Sequence, residues 1–438
     1  MSERESRREY WVTLPDGTGW SPERRAEQPA AWQEALQKAK GFKIACFCKC
    51  VEQEAPLYIF QRAGVFYLAR YPNSGHVHST DCHFYAPAIE TTGQVAYADD
   101  VITEASDGTK RIRFDFALGR ELGQREPAPV TPAPRGPSST RRTQMSILGL
   151  LHYLWSAADL QRWHPRMVGK RNWAVAKHRL DEAAVDIVQR SVRMSQRLIV
   201  LPAMSGPNLH QRVGTELQEK VHWATSGDKR AEILLFIGEL VNTSVGGKST
   251  RITLSRADQH KLTFYSTTQF WGRCIERFPA LGLHRKIAGE ADRTIAIIAA
   301  EVRKRHDGSM IGDVSAAGFL FTTAEFIPFA SSYEKIVTRK LIDQNRWFEK
   351  PLRYDAAEDA VLPDFVLLDT NTRYLPMEVY GRNSDDEYRK HRDLKRALYL
   401  RTYGAENYWE WNVDPNQVDA VPPFPSKSFQ RVAANASR

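Results

Sequence analysis

Long hydrophobic runs are absent from this chain of 438 residues. No apolar stretch approaches the roughly 18 residues that a membrane-spanning helix requires. The N-terminal residues, from Met1 to Arg8, lack the apolar segment of a secretory signal. The five cysteines are few and odd in number, which argues against a disulfide framework. We therefore expect a cytoplasmic protein without a membrane partner.

Positive charge is in excess, with 61 Lys and Arg residues against 52 Asp and Glu residues and a net charge of +9. A basic balance favours a polyanionic partner, of which DNA is our first choice, although many basic proteins bind no nucleic acid. The hydrophobic content of 42% is sufficient for buried cores. The length indicates roughly two to four domains.

A proline-rich stretch divides the chain, with five prolines between residues 125 and 143. This composition is typical of an extended linker. We predict an α+β multidomain protein. Its segments are a β-rich module at 1–124, the linker at 125–143, a mostly helical middle domain at 144–325, an α/β domain at 326–413 and a flexible tail at 414–438.

Four of the five cysteines lie in the first hundred residues, on both sides of a predicted β-hairpin with strands at 57–60 and 65–69. Because a hairpin brings its ends together, soft ligands there can hold one structural Zn²⁺ and stabilise a small module. The alternative is that the cysteines are free and behave as small buried hydrophobes. The predicted ligands are Cys46, Cys48, His78 and Cys82, with Cys50, His76 and His83 as substitutes.

The middle region carries basic residues on a predicted helix from about Leu180 to Arg197, which follows a first helix near Met145. Three arginines recur there at helical spacing and form one stripe. Such a face suits phosphate contacts, but it is more often a solvated surface. The candidate nucleic-acid-binding residues are Lys170, Arg171, Arg190, Arg193 and Arg197.

Two further features of the middle region are ambiguous. The apolar runs at 233–237 and 294–298 are too short for periodicity to distinguish strand from helix. The segment from Gly246 to Thr250 resembles the end of a phosphate-binding loop, but Asn242 stands where that loop needs its first glycine. We therefore assign no phosphate loop.

The strongest chemical signal lies in two strand-like segments, at 362–368 and 374–381, on either side of a turn-rich segment. Asp364 and Glu378 are each seven residues from Asn371, the midpoint of the turn. A regular hairpin places the two carboxylates opposite each other on one face. Like charges in that position are destabilising, so we predict that Mg²⁺ or Mn²⁺ compensates them.

The next helix is predicted to begin near Ser384, which with Glu387 forms a capping box, and to reach about Arg401. At 100° per residue, Lys395 falls on the apolar arc of this helix together with Tyr388, His391, Leu398 and Tyr399. Lys395, and less favourably His391, is therefore an inward-pointing cation that can stabilise phosphate charge. The alternative is that Lys395 extends along apolar surface to solvent.

These residues resemble the PD-(D/E)xK superfamily of restriction-endonuclease-like nucleases, whose signature is Pro-Asp, a gap and then Asp/Glu-x-Lys. Pro363, Asp364 and Glu378 match the signature, whereas Tyr380 occupies the lysine position. The superfamily includes variants in which the following helix supplies the lysine, and Lys395 is our candidate for it.

The predicted element order also resembles these nucleases: a helix that opens at Ser331, three strands, a helix and a fourth strand at 407–411. The first strand is predicted within 346–354. In several branches a glutamate on the first helix joins the metal shell, and Glu334 is the positional match. The alternative is that Glu334 acts only as the capping partner of Ser331.

The whole chain is similar to an uncharacterised bacterial family, a domain of unknown function often encoded near plasmid and integrative-element genes. The resemblance implies protein partners from the same mobile element but no established activity. It is carried by Cys46-x-Cys48 and by residues 75–82, 149–155, 326–329 and 362–381.

Three functions follow as hypotheses. The first is a Mg²⁺-dependent DNA endonuclease in which Asp364, Glu378 and the Val379 carbonyl hold the metal and Lys395 assists. The second, favoured by Tyr380, is a catalytically inactive nucleic-acid-binding accessory protein of a plasmid, an integrative element or a defence system. The third is a protein-interaction scaffold in which the metals serve only structure.

Overall fold

The computed structural model describes most of the chain. The described residues are 10–40, 47–50, 55–62, 65–70, 78–79, 82, 84, 101–105, 108–121, 144–189, 191–201, 207–227, 230–278, 281, 292–352, 362–372, 375–381 and 386–428. Five single residues that carry predictions lie outside these ranges, namely Cys46, His76, His83, Arg190 and Ser384, and so do the predicted linker at 125–143 and residues 429–438 of the predicted tail.

Nine α-helices are present in the described ranges, and none is long and apolar enough to cross a bilayer. They are α1 (Pro22–Glu27), α2 (Pro29–Ala39), α3 (Ile147–Ala157), α4 (Trp173–Ala183), α5 (Met194–Arg197), α6 (Pro207–Thr225), α7 (Thr268–Arg277), α8 (Ser332–Asp343) and α9 (Asp386–Tyr403).

The strands form four sheets. They are β1 (Val12–Thr13), β2 (Gly19–Trp20), β3 (Phe47–Cys48), β4 (Ala55–Arg62), β5 (Val65–Arg70), β6 (Ile102–Glu104), β7 (Lys110–Ile112), β8 (Gly119–Glu121), β9 (Arg162–Trp163), β10 (Ile187–Gln189), β11 (Val192–Arg193), β12 (Leu198–Val200), β13 (Arg230–Val245), β14 (Ser249–Leu254), β15 (Leu262–Thr267), β16 (Arg293–Lys304), β17 (Met310–Thr322), β18 (Phe348–Glu349), β19 (Phe365–Leu367), β20 (Leu375–Tyr380) and β21 (Trp409–Asn412).

The N-terminal sheet has the order β2-β1-β3-β4-β5. Its predicted hairpin is confirmed, since β4 and β5 pair antiparallel from Leu57 opposite Arg70 to Arg62 opposite Val65. Helix α2 packs on this sheet with Leu36 buried, and Cys48 and Cys82 belong to the same small core. A core of this size gains stability from a metal.

The prediction of a mainly helical middle region is wrong, because in its described residues nine strands, β9 to β17, lie among the five helices α3 to α7. The expected helix at 180–197 is instead the end of α4, the short strands β10 and β11, and the short helix α5. Ser191 has a φ of 67°, a left-handed conformation that a helix does not contain. The β-branched residues Val185, Ile187 and Val188 favour strand over helix. The predicted stripe of arginines is therefore not formed.

Five strands of the middle region close into a ring. The order is β13-β14-β15-β17-β16, and β16 pairs again with β13. All the pairs are antiparallel except β15 and β17, which are parallel. The ring closes because β13 changes partner along its length: residues 233–239 pair with β16, residues 240–245 pair with β14, and a bulge lies at Leu240 and Asn242.

Alternation along β13 and β16 separates two cores. Leu234, Phe236 and Ile298 point into the ring, where they join Phe264 and Trp271. The residues that alternate with these along each strand point outward. They belong to a second core, which also contains residues of α3 and α4. The interior is so tight that a Cβ on Gly312 would lie 2.7 Å from the Phe264 ring, so only glycine fits opposite Phe264.

The C-terminal sheet has the order β21-β20-β19-β18-β9. Strands β18, β19 and β20 are antiparallel, and β21 is parallel to β20 after the crossover through α9. The chain order is α8, three strands, α9 and β21, as predicted. The fifth strand, β9, comes from the middle region and pairs Trp163 with Phe348.

Candidate functional site

The register of β19 and β20 positions two acidic residues. Phe365 pairs with Met377 and Leu367 with Leu375. One residue further along, the same register places Asp364 opposite Glu378, as the sequence predicts. Directly opposed residues share a face of the sheet. The Glu378 side chain is buried, and the Asp364 side chain is 22% exposed.

The Asp364 carboxylate is fixed by one backbone donor. The Val379 N–H donates to its Oδ2 at 2.8 Å, and the Lys350 ammonium lies 3.9 Å from its Oδ1. The backbone of Val379 therefore holds Asp364 in place next to Glu378.

Glu378 has an unusual environment for a carboxylate. Burial raises its pKa to about 8, and the negative charge of Asp364 adds to this effect. Lys395 of α9 opposes it, since its Nζ lies 2.8 Å from both carboxylate oxygens, and Tyr399 of the same helix is buried beside it. The helical arc predicted for Lys395 and Tyr399 thus faces the sheet.

A second buried pair lies beside the first. The Lys350 Nζ is 3.0 Å from Glu334 Oε2, and both side chains are buried. Burial raises the pKa of Glu334, and the charge of Asp364 reinforces the shift against the opposing effect of Lys350. Burial works against the charged form of Lys350, but the carboxylates of Glu334 and Asp364 outweigh it and raise its pKa.

Sequence reasoning missed Lys350. The available signal was strand alternation: Phe348 is a core residue, so the residue two positions later lies on the same face. The Lys350 ammonium lies 5.0 Å from the centre of the Phe365 ring and reaches the acidic cluster across it.

Glu334 also occupies the N-terminus of α8. Ser331 caps this helix by accepting from the Glu334 N–H, as the predicted capping box requires, but the Glu334 carboxylate accepts from the Ala330 N–H at 2.8 Å. The same carboxylate oxygen lies 3.0 Å from the Lys350 Nζ. Glu334 therefore both caps the N-terminus of α8 and contributes a carboxylate to the acidic cluster.

Tyr380, which occupies the position of the signature lysine, is held by contacts within the fold. Its hydroxyl and that of Tyr408 form a hydrogen bond of 2.8 Å, and burial raises the pKa of Tyr380. Tyr408 in turn stacks on Tyr399 with ring centres 5.2 Å apart. Tyr380 therefore joins α9 to the sheet and brings no positive charge to the acidic residues.

The C-terminal cluster thus combines three carboxylates, of Glu334, Asp364 and Glu378, with two ammonium groups. Among the described residues, the oxygens of these three carboxylates do not all lie within 4.8 Å of one another, as ligands around one ion would. Mg²⁺, however, commonly uses only one or two protein carboxylates and keeps several waters. The opposed pair Asp364 and Glu378 is therefore the part of the cluster that fits such an ion.

A different cluster is compact enough to surround an ion. Cys48, Cys50, His78 and Cys82 each offer one ligand atom, all within 4.8 Å of one another. The Sγ atoms of Cys48 and Cys82 are 3.6 Å apart, and the Nδ1 of His78 lies 3.4 Å from Cys50 Sγ and 3.8 Å from Cys82 Sγ. Strand β3 supplies Cys48, and the hairpin returns the chain to His78.

These distances match the edges of a tetrahedron around zinc. Bonds of about 2.3 Å to sulfur and 2.0 Å to nitrogen place two sulfurs about 3.8 Å apart, and sulfur and nitrogen about 3.5 Å apart. The hydrogen bond between the Cys48 and Cys82 thiols lowers the pKa of Cys82 and raises the pKa of Cys48, so in this pair Cys82 is the one that favours the thiolate form. The cluster can hold a metal such as zinc.

Three predicted ligands, Cys48, His78 and Cys82, are thus in the cluster. The fourth member is Cys50, which the sequence analysis gives as a substitute. Cys46 lies outside the described residues.

The predicted nucleic-acid-binding arginines have different environments. Arg197 is buried and forms an ion pair with Glu232 at 2.6 Å, so it does not face a ligand. Arg171 donates to the backbone carbonyls of Leu160 and Arg162, and burial lowers its pKa to about 10. Lys170 and Arg193 are exposed, whereas Arg190 is not described. Of the four described residues, two are therefore held by partners inside the fold and two are exposed.

Comparison with known proteins gives one match. Residues 22–414 match a family described as a protein of unknown function, DUF1173. The chain belongs to this family. The match extends from α1 to the end of the C-terminal sheet, so it covers the Cys/His cluster, the ring of strands and the acidic cluster. No curated protein and no solved structure matches the chain.

Proposed function

We propose that this DUF1173 protein is a metal-dependent nuclease that hydrolyses phosphodiester bonds in DNA at the C-terminal sheet. The chain order of α8, β18 to β20, α9 and β21, with β21 parallel to β20, supports a restriction-endonuclease-like core. The association with mobile elements, and with protein partners encoded there, remains a prediction.

The observation that carries the proposal is the opposition of Asp364 and Glu378 in the register of β19 and β20. Two acidic side chains in this position repel each other, and the raised pKa of Glu378, about 8, reflects this repulsion together with burial. A divalent cation relieves both effects. Strongly shifted pKa values of this kind concentrate at functional sites.

In this proposal Asp364 and Glu378 would hold Mg²⁺ or Mn²⁺, with the Val379 carbonyl as a third oxygen. The metal would supply a bound water of lowered pKa and neutralise phosphate charge. The Val379 N–H orients Asp364. Beside it, Lys350 and Glu334 form an ion pair that holds both side chains in place. Lys395, whose Nζ lies 2.8 Å from the Glu378 carboxylate, would supply a positive charge to the phosphate.

Cleavage of plasmid DNA in Mg²⁺ or Mn²⁺ tests the proposal. We expect Asp364→Asn and Glu378→Gln to reduce the cleavage rate by at least about 100-fold, because a preorganised electrostatic group contributes on that scale. Glu349→Gln is the matched control: Glu349 precedes Lys350 and has its own partner in Arg162 at 2.7 Å, so this variant should cleave like the wild type. Equal rates in all four proteins would refute the proposal.

A catalytically inactive DNA-binding protein is the second candidate, and Tyr380 favours it. The signature position carries Tyr380 instead of a lysine, and the Tyr380 hydroxyl is hydrogen bonded to that of Tyr408. DNA binding without cleavage, unchanged by Asp364→Asn and Glu378→Gln, would establish this candidate. If the wild type does cleave, Lys395→Met tests the role of the helix: cleavage is lost if Lys395 replaces the signature lysine.

A further inference from the structure

The ring of five strands has a recognisable connectivity. β13, β14 and β15 form an antiparallel meander, α7 follows β15, β16 pairs back with β13, and β17 lies between β15 and β16. A five-stranded Greek-key barrel of this connectivity is the OB-fold architecture. The apolar runs at 233–237 and 294–298 are the strands that close it.

Only part of the outside of this barrel is covered. Leu235 and Ala299, which pair where β13 meets β16, point outward and are buried in the core that contains α3. The outward residues of β14 and β15, by contrast, are polar and at least partly exposed. They are Ser249, Arg251 and Thr253 on β14, and Thr263, Tyr265 and Thr267 on β15.

This uncovered face has an aromatic residue next to a cation. Tyr265 lies directly opposite Arg251 in the register of β14 and β15. Arg251 is exposed and Tyr265 partly exposed, and within the described part of the chain neither side chain has a hydrogen-bond or ion-pair partner. A tyrosine ring beside an arginine is a platform on which a base can stack.

Further cations lie at both ends of the face. Lys248 is exposed in the connection from β13 to β14, which leads directly into Ser249. At the other end, the connection from β16 to β17 carries exposed Arg305 near Lys261, since the Met310 N–H donates to the Lys261 carbonyl at 2.8 Å. The face therefore has positive charge along its length.

Two acidic residues lie on or beside the face: Asp313 is directly opposite Tyr265 in the register of β15 and β17, and Asp307 is in the connection from β16 to β17. Asp313 forms an ion pair with Arg303. Asp307 accepts hydrogen bonds from the Ser309 hydroxyl at 2.6 Å and from the Ser309 N–H at 2.9 Å. Only Asp313 is thereby neutralised, but the four cations Lys248, Arg251, Lys261 and Arg305 outnumber the acids Asp258 and Asp307, so the face carries a net positive charge that suits a phosphate backbone.

We propose that the outer face of β14 and β15, with the connections at 246–248 and 305–309, binds single-stranded nucleic acid. Tyr265 stacks on a base, and Arg251, Lys248, Arg305 and Lys261 contact phosphates. A flat stacking platform favours unpaired bases, because the bases of a duplex are already stacked on each other. This site is separate from the acidic cluster and does not depend on the proposed cleavage activity.

The test is fluorescence anisotropy of a fluorescein-labelled oligo(dT) of about 20 nucleotides, longer than the site of a single OB fold, with the full chain in buffer without Mg²⁺. We expect Tyr265→Ala to weaken binding by about 5- to 100-fold, as the loss of one base-stacking contact does. Tyr265→Phe retains the ring and should bind within about twofold of the wild type. Arg251→Ala should lower the slope of log Kd against log salt by about 0.7, the value for one phosphate contact on a single strand.

Matched controls lie in the N-terminal module, away from the barrel in sequence. Tyr67 is an exposed tyrosine on β5 and Lys38 an exposed cation on α2, so Tyr67→Ala and Lys38→Ala make the same kind of change. Equal effects of Tyr265→Ala and Tyr67→Ala would overturn the inference, as would equal or tighter binding of a duplex of the same length. If Glu378→Gln binds oligo(dT) as tightly as the wild type does, the inference is upheld. This result does not depend on whether the wild type cleaves DNA, so it is independent of the nuclease proposal.

Discussion

At the scale of single residues, the acidic cluster was partly predictable. Asp364 and Glu378 could be paired because hairpin register follows from counting residues about a turn. Lys395 could be placed because helical periodicity is regular, and its Nζ does contact Glu378. Lys350 was missed because it follows a strand of only two residues, so the alternation that places it on the face of Phe348 is short and easily overlooked.

The raised pKa of Glu378 predicts a pH dependence of stability. The unfolded carboxyl titrates near 4.5 and the folded one at about 8, so between these pH values the native state binds more protons than the unfolded state. Stability therefore falls as pH rises through this window. Each pKa unit corresponds to about 1.4 kcal/mol. Relative to Glu378→Gln, we expect the wild type to lose a few kcal/mol between pH 4.5 and 8.

Urea unfolding across this pH range, without divalent metal, measures the effect. The Gln side chain has no proton to lose, so the difference in unfolding free energy between the two proteins should grow with pH. Glu349→Gln, which leaves Glu378 intact, should follow the wild-type profile. Parallel profiles for Glu378→Gln and wild type would show that Glu378 is not protonated in the fold.

At the scale of elements, local signals were reliable where caps or turns specify them. The hairpin β4–β5, the Ser331 cap of α8 and the chain order of the C-terminal elements were predicted. The predicted helix at 180–197 was wrong. The prediction gave more weight to charged residues at helical spacing than to the β-branched residues, which favour a strand. The ring of strands was missed because continuous apolar runs buried on both sides show no alternation.

The Cys/His cluster predicts a metal-dependent N-terminal module. We expect the purified protein to contain about one Zn²⁺ per chain, as a four-ligand structural site does, and Cys82→Ser to lose it and expose the module to proteolysis. Cys274→Ser is the control, because Cys274 is a buried cysteine on α7 that lies outside the cluster. Metal content by mass spectrometry checks both variants. Full zinc occupancy in Cys82→Ser would contradict the assignment.

At the scale of the whole molecule, the C-terminal sheet depends on a distant segment. Strand β9 completes the sheet, and Trp163 is buried in the core that contains Phe348 and Phe365. Neither composition nor periodicity reveals this pairing, because two-residue strands carry no pattern. The middle and C-terminal regions therefore share one structural unit in the described residues.

Trp163→Ala should therefore destabilise the acidic cluster from outside its own sequence region. We expect a loss of about 3–5 kcal/mol in unfolding free energy, as for other buried aromatic truncations. Trp11→Ala is the control, since Trp11 is 53% exposed and its truncation should cost less than about 0.5 kcal/mol. Urea unfolding followed by tryptophan fluorescence measures both. A loss as small as that of Trp11→Ala would show that β9 is dispensable.

The shared strand also has a consequence during synthesis. Arg162 of β9 and its ion-pair partner Glu349 of β18 are 187 residues apart in the chain. At typical translation rates β18 leaves the ribosome roughly 10–40 seconds after β9. Through that interval Trp163 lacks the core in which it is buried, so its indole stays uncovered until the C-terminal strands emerge.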